Sequence, residues 1–265
     1  MNLSCKTKYP IVLLHGTGSR DKDHASCWGR IPKALESQGA EVYFGNQDAW
    51  GTIEENAITV KESINAVLAT TGCGKVNIIA LSKGGLEARY MIHKLDMAEK
   101  VASLTTVSTP HYGSKTMDFL CNNLKCLMKF AAIFANWFYI WLGDKKPDFY
   151  SACCQLTTTR CERFNLEILN SDQVYYQSYA SLMTKLYSDM LLFLPHLTVK
   201  WFDGECDGIV SVNSAKWGEF KGVIKGEGVR GVSHCDLRDL RRKDGSGTDI
   251  SKNLSSQIII KKTKN

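Results

Sequence analysis

The sequence predicts an α/β protein, a mostly parallel sheet flanked by helices, and three observations carry that reading. Short β-rich runs alternate with helix-length segments along the chain, the pattern of repeated strand, crossover helix, strand. One apolar run, Val76 to Leu81, breaks into small residues around Ser82 and resumes with helical spacing. The chain has 265 residues, 44% of them hydrophobic and 23% charged. That is enough to bury one large core, and no linker, internal repeat or low-complexity tract divides it. Residues 1–265 are expected to form a single domain.

The first strand candidate, Ile11 to Leu14, runs into His15-Gly16-Thr17-Gly18. A glycine-rich turn there can present backbone N–H groups to a reacting carbonyl, although the His-Gly pair alone fits an ordinary strand-to-helix turn. Glu41 to Phe44 is the second strand candidate. Thr52 and Glu55 then form a T-x-x-E capping box, and Ile53, Ala57, Val60, Ile64 and Val67 recur at helical spacing, so this helix should bury one face. Val76 to Leu81 is the third strand. The helix after it carries Leu86, Ala88, Tyr90 and Met91, while Gly84 and Gly85 let its start approach the sheet. Leu104 to Val107, Val174 to Tyr179 and Leu197 to Trp201 complete the strand candidates.

Between the fourth and fifth strands lies an apolar stretch from Leu120 to Leu142, rich in aromatics: Phe130, Phe134, Trp137, Phe138 and Trp141. Lys125, Lys129 and Asn136 interrupt it, and its uncharged part is shorter than the ~20 residues that cross a bilayer. No transmembrane segment is expected. The stretch reads as an amphipathic cap, with a buried helix pair as the alternative.

Ser82 is the candidate nucleophile. A serine hydroxyl attacks only when a base can reach it, and a sharp strand-to-helix turn holds it out at the sheet's edge. Such a turn crowds the positions two before and two after the serine, here Ala80 and Gly84; the alanine adds one methyl to the usual G-x-S-x-G. The backbone N–H groups of Thr17 and Lys83 are the candidate oxyanion donors. For the acid, Asp207 lies in Asp203-Gly204-Glu205-Cys206-Asp207-Gly208-Ile209-Val210, expected just past a strand end, where catalytic loops gather. Asp203 and Glu205 compete for the role, and a turn-forming Asp-Gly is the plain alternative. His234 is the only histidine downstream of that loop, so Ser82, Asp207 and His234 fall in the order such a serine site requires. His15 and His111 are expected to orient backbone at strand ends. His24, His93 and His196 have no evident partner.

Composition narrows the remaining classes. The formal charge of +6 is mild, and its clusters at residues 237–243 and 261–264 read as solvated surface, so no nucleic-acid partner is expected. The first ten residues lack the apolar core of a secretory signal, which implies a cytoplasmic protein or one exported without a classical signal peptide. Ten cysteines at irregular spacings in a chain of this size read as free thiols. Cys121, Cys126, Cys153, Cys154 and Cys161 lack the paired spacing and neighbouring histidine of a zinc cluster. No organic cofactor is implied.

Taken together, these motifs resemble the bacterial triacylglycerol lipases of the α/β-hydrolase superfamily, the Pseudomonas and Burkholderia type, related to those of Bacillus and staphylococci. Tyr9 to Gly16 resembles the family's opening strand and oxyanion turn, Val76 to Gly85 its nucleophile region, and Thr109-Pro110-His111-Tyr112-Gly113-Ser114 the segment before its lid. Asp207 to Val212 and Ser233 to Asp236 resemble the acid and base loops. Ala80 and Leu81 depart from the glycine and histidine of many members, though the alanine form occurs in the Bacillus-type branch.

The resemblance implies an α/β-hydrolase fold with a helical lid over residues 115–160, touching a lipid interface transiently. It implies a serine ester hydrolase cleaving acylglycerols or related apolar esters through Ser82, His234 and Asp207. Members often carry a structural calcium ion, which here would use Asp236, with Asp189 or Asp239 as unanchored further ligands. An N-cap or salt-bridging Asp236 is the alternative. A short-chain carboxylesterase, a polyester depolymerase, an acyltransferase and a non-catalytic lipid-binding relative remain as rival readings.

Overall fold

The computed structural model describes residues 5–21, 28–224, 226 and 229–239. Its six strands are β1 (Ile11–Leu14), β2 (Val42–Phe44), β3 (Val76–Leu81), β4 (Val101–Val107), β5 (Tyr175–Ala180) and β6 (Glu219–Val223). They form one sheet in the order β2-β1-β3-β4-β5-β6, with every pairing parallel. Leu14 pairs with Ala80, Ala80 with Thr106 and Thr106 with Ser178, so the carboxyl ends of four neighbouring strands stand level. A crevice outside those ends is where open α/β sheets place their sites.

The helices are α1 (Ile31–Glu36), α2 (Ile53–Thr71), α3 (Gly84–Lys94), α4 (Lys115–Asn123), α5 (Lys125–Leu142), α6 (Phe149–Cys154), α7 (Thr158–Glu167) and α8 (Phe193–Asp203). The two-residue alternation of the strands divides the core between the faces of the sheet. Ile11, Leu13, Ile79, Leu81 and Val107 pack with Trp28, Ile31 and Leu35 on the α1 side. Val12, Leu14, Ile78, Ala80 and Leu104 pack with Ala57, Val60 and Ile64 of α2 and Ala88 and Met91 of α3 on the other. Each fully buried Leu, Ile or Val contributes about 1.5–3 kcal/mol through removal from water.

The expected helix after Thr52 forms with its expected buried face. Half of the capping box is made: Thr52 Oγ1 accepts from Glu55 N–H at 3.3 Å, while the Glu55 carboxylate turns outward to Lys146 at 2.8 Å. Gly72 ends α2 with φ 68°, the left-handed conformation that favours glycine.

One strand candidate is a helix instead. Leu197 to Trp201 lies inside α8. Its β-branched and aromatic residues mimic a strand, but Val199 and His196 are buried while Leu194, Leu197 and Trp201 are exposed, a helical division. Pro195 sits in the first turn, where its missing N–H breaks no helical hydrogen bond. The sixth strand is Glu219–Val223, at the sheet's edge. Two charged residues and Gly222 hide its signal, as is common for edge strands.

The α4–α6 segment lies between β4 and α7. In α5 only Ala132 is buried, and Trp137 and Trp141 are 70% and 74% exposed. A buried helix pair is therefore not what forms. No helix among the described residues is long and apolar enough to cross a membrane.

Candidate active site

Ser82 follows β3 directly, adopts the left-handed φ of 52° and is 5% exposed. A positive φ in a non-glycine residue is strained, and here the surroundings enforce it. Ser82 N–H donates to Val107 O at 3.0 Å, and Thr109 Oγ1 donates to Ser82 O at 2.7 Å. The elbow needs its glycines for room. A Cβ at Gly84 would sit 2.5 Å from His15 O, and one at Gly16 would sit 2.6 Å from Ser82 Cβ and 3.1 Å from its Oγ. The turn after β1 is thus pressed against the serine. Among the described residues neither Thr17 N–H nor Lys83 N–H has a hydrogen-bond acceptor within the protein.

A row of hydroxyls crosses the neighbouring strand ends. Ser108, after β4, pairs with Ser181, after β5, at 2.7 Å. Ser181 Oγ donates to Asp207 Oδ2 at 2.8 Å, and Asp207 Oδ2 lies 2.9 Å from His234 Nδ1. The other carboxylate oxygen accepts from Val210 N–H at 2.9 Å and Ile209 N–H at 3.1 Å. His234 N–H donates to Asp207 O at 2.9 Å, so backbone and side chain fix the pair together. Burial of Asp207 acts to raise its pKa, but the facing imidazole and these donors prevail and hold the carboxyl below its ordinary value. No hydrogen bond joins Ser82 Oγ to His234 in this structure; catalytic contacts of this kind are often long before substrate binds.

The competing acids are occupied elsewhere or exposed. Asp203 caps α4, accepting from Ser114 Oγ and Lys115 N–H at 2.9 Å each, and Glu205 is exposed. The route to Asp207 differs from the expected one: it follows α8, not a strand. The loop returns it to the end of β5, where Met183 N–H donates to Cys206 O at 3.0 Å.

His15 spans Gly16 O at 2.8 Å and Gln47 O at 3.1 Å, tying the turn after β1 to the loop after β2. His111 is buried, with Thr106 Oγ1 at 3.0 Å on one ring nitrogen and Arg89 Nη1 at 3.2 Å on the other. Burial first, and then Arg89, push its pKa far down. His196 meets Cys206 Sγ at 3.4 Å, and His93 is half-buried on α3. His24, the basic cluster beyond residue 239 and the 261–264 tail lie outside the described residues.

Two features have no signal in the sequence. Lys83 and Glu87 form a buried ion pair; Asn56 Nδ2 donates to Glu87 Oε1 at 2.8 Å and to Asp48 O at 2.8 Å. Asp48 Oδ2 in turn accepts from Lys145 and Lys146 N–H at 2.8 and 2.7 Å. Lys83, the residue after Ser82, is thereby linked to the far end of α5. That end is also held by the ion pair between Arg20 and buried Asp144, by Arg20 Nη2 donating to Gly143 O at 2.8 Å, and by Tyr139 Oη donating to Gly18 O at 3.4 Å.

Around the candidate catalytic histidine, Asp236 Oδ2 accepts from Ser233 N–H at 2.9 Å and Asp189 Oδ2 accepts from Ser233 Oγ at 2.7 Å. Asp239 instead pairs with Arg30 at 2.6 Å. A calcium ion takes about six to eight oxygens. Two carboxylates meet at one serine here, both engaged by its donors, and no group of three His, Cys, Asp or Glu side chains among the described residues forms a metal site.

Residues 10–197 match the family model described as palmitoyl protein thioesterase. The chain belongs to the palmitoyl protein thioesterase family. The family match includes Ser82 and stops before Asp207 and His234. Triacylglycerol lipase 2 of Saccharomyces cerevisiae is 32% identical over 227 residues, 82% of this chain and 63% of that protein. A triacylglycerol lipase of Burkholderia plantarii is 39% identical over 128 residues, 45% of this chain and 34% of that one. The chain thus spans less than two thirds of the length of either relative. In structure this family member is similar to Staphylococcus hyicus lipase, with a TM-score of 0.71 at 17% identity, covering 95% of this chain and 93% of that one. The likeness establishes the α/β-hydrolase fold.

Proposed function

We propose that the chain is a serine ester hydrolase acting on acylglycerols or related apolar carboxylic esters. The observation that supports this reading is the hydrogen-bonded Asp207–His234 pair, joined through Ser181 and Ser108 to the strand ends that also carry the strained, glycine-walled Ser82. His234 takes the serine proton as Ser82 Oγ attacks the ester carbonyl, then delivers it to the departing alcohol. Asp207 holds the imidazole and stabilises its charged form. The free N–H groups of Thr17 and Lys83 receive the oxyanion, and water activated by the same base releases the acid. Residues 115–160 act as a lid, and the aromatic surface of α5 meets lipid when the lid moves.

The names of the curated relatives support an ester of glycerol; the family match favours a second reading, an acyl thioester, which the same acyl-enzyme chemistry accommodates. The deciding experiment is a p-nitrophenyl ester series from short to long acyl chains, with a long-chain acyl thioester alongside, run on wild type and Ser82→Ala. Turnover that rises with chain length and vanishes in the variant supports the lipase reading. Preference for short chains moves it to carboxylesterase, and preference for the thioester to the second reading. A folded protein that neither turns over these substrates nor labels at Ser82 with a fluorophosphonate is a binder.

A further inference from the structure

Nine cysteines lie among the described residues, all as free thiols, and the proposed hydrolysis uses none of them. Most are dispersed in the core, but one group is not. Cys121, in the last turn of α4, and Cys154, the last residue of α6, line one cavity together with Tyr150. Cys121 is buried and Cys154 is half-exposed. Both line an open cavity of about 560 Å³ whose wall carries Lys125 and Arg160 and no acidic side chain. An accessible thiol and a buried thiol on the wall of one cavity suit an attacking and a resolving cysteine, and the two cations suit an anionic reagent.

From this geometry we infer that Cys154 and Cys121 form a redox modification site for an anionic low-molecular-weight disulfide of the glutathione class, closing to a Cys121–Cys154 bond that joins the helices on either side of α5. In the first step the Cys154 thiolate attacks one sulfur of the reagent, forming a mixed disulfide and releasing one reagent thiolate. Cys121 then gives up its proton to solvent and attacks Cys154 Sγ, breaking the mixed disulfide and releasing the second reagent thiolate. Two protein thiols are oxidised, the reagent disulfide is reduced to two thiols, and the two protons end on them. Burial, followed by the nearby Cys154, pushes the Cys121 pKa far up, in keeping with a second-step thiol that waits protonated. Because α4 leads into α5 and α6 follows it, the bond restrains both connections of the cap helix.

The test uses the full chain, reduced, freed of reductant and exposed to glutathione disulfide. Intact mass should fall by two hydrogens, and peptide mapping should join Cys121 to Cys154. Cys121→Ser should instead retain one glutathionyl group on Cys154, and Cys154→Ser should leave Cys121 a free thiol. Amide exchange within α5 should be slower in the oxidised wild type than in the reduced form, with no such difference in either variant. An unchanged mass in folded wild type, a bond from Cys154 to Cys126 or Cys153, or identical exchange in both redox forms would overturn the proposal. None of these readouts depends on ester turnover, so they stand apart from the proposed function.

Discussion

At the scale of single residues, the site depends on small spaces and short contacts. Ser82→Ala and His234→Ala should each reduce hydrolysis by roughly three to six orders of magnitude without unfolding the protein, and the double variant should lose little more, since the two act as a unit. Single- and double-variant kcat values check this; near-wild-type turnover in either folded single variant removes the assignment. Asp207→Asn should lower kcat by about a hundredfold or more. Asp203→Asn should act on stability instead, because that carboxylate caps α4. Gly16→Ala would drive a methyl against Ser82; overpacking of this kind costs about 1–3 kcal/mol, and kcat should fall further than thermal stability alone explains.

Ser82 and the turn at Gly16 are legible because their constraints are local in sequence, small residues around a serine and glycines after a strand, whereas His234 is legible by its place downstream of the acid loop. Asp207 is legible by chain order, although the segment expected to deliver it as a strand is a helix. Ser181, Glu87 and Asn56 are not legible. Each is ordinary in its own segment, and the bonds from Ser181 to Asp207 and from Asn56 to Glu87 span 26 and 31 positions.

Among the elements, α5 carries the clearest test. Its Phe138 and Trp141 are exposed, so replacing both with serine should leave the fold intact. Activity on emulsified long-chain triglyceride should nevertheless fall far more than activity on a soluble short-chain ester. Removing each aromatic ring from the lipid surface would weaken attachment there by on the order of 1.5–3 kcal/mol. The ratio of the two activities, with circular dichroism as the control for folding, is the measurement; equal losses would return the reading to esterase. Helix α2 is legible from period and cap, and β1 and β3 from unbroken apolar runs. α8 imitates a strand because Leu197 to Trp201 is too short a window for period to overrule β-rich composition. β6 escapes detection because an edge strand of five residues with two charges gives no alternation to follow.

For the whole molecule, the lowered pKa of Asp207 links stability to acid. A carboxyl whose folded pKa lies below its unfolded value stabilises the protein above the unfolded value of 3.8 and loses that contribution as pH falls through the folded one. The stability gap between wild type and Asp207→Asn, measured by urea unfolding, should therefore narrow as pH is lowered below about 4. A gap that widens with acid would contradict the sign. The parallel, two-layered architecture is legible as a whole because buried strands and amphipathic helices alternate regularly. The attachment of the end of α5 to the segment after β1 through Arg20 and Asp144 is not, since the two residues lie far apart in sequence.

The distribution of the site along the chain has a consequence for biosynthesis. Ser82 and its elbow belong to the first part of the sheet, whereas His234 follows the last strand. At a synthesis rate of roughly 5–20 residues per second, about 150 residues take on the order of 10–30 s to emerge. For most of that interval the nascent chain holds Ser82 without the candidate acid, and for all of it without the candidate base. On the proposed mechanism, reactivity at Ser82 requires that His234 has emerged, so ribosome-bound chains stalled before residue 207 should fail to label with a fluorophosphonate, while chains extended well past His234 should label.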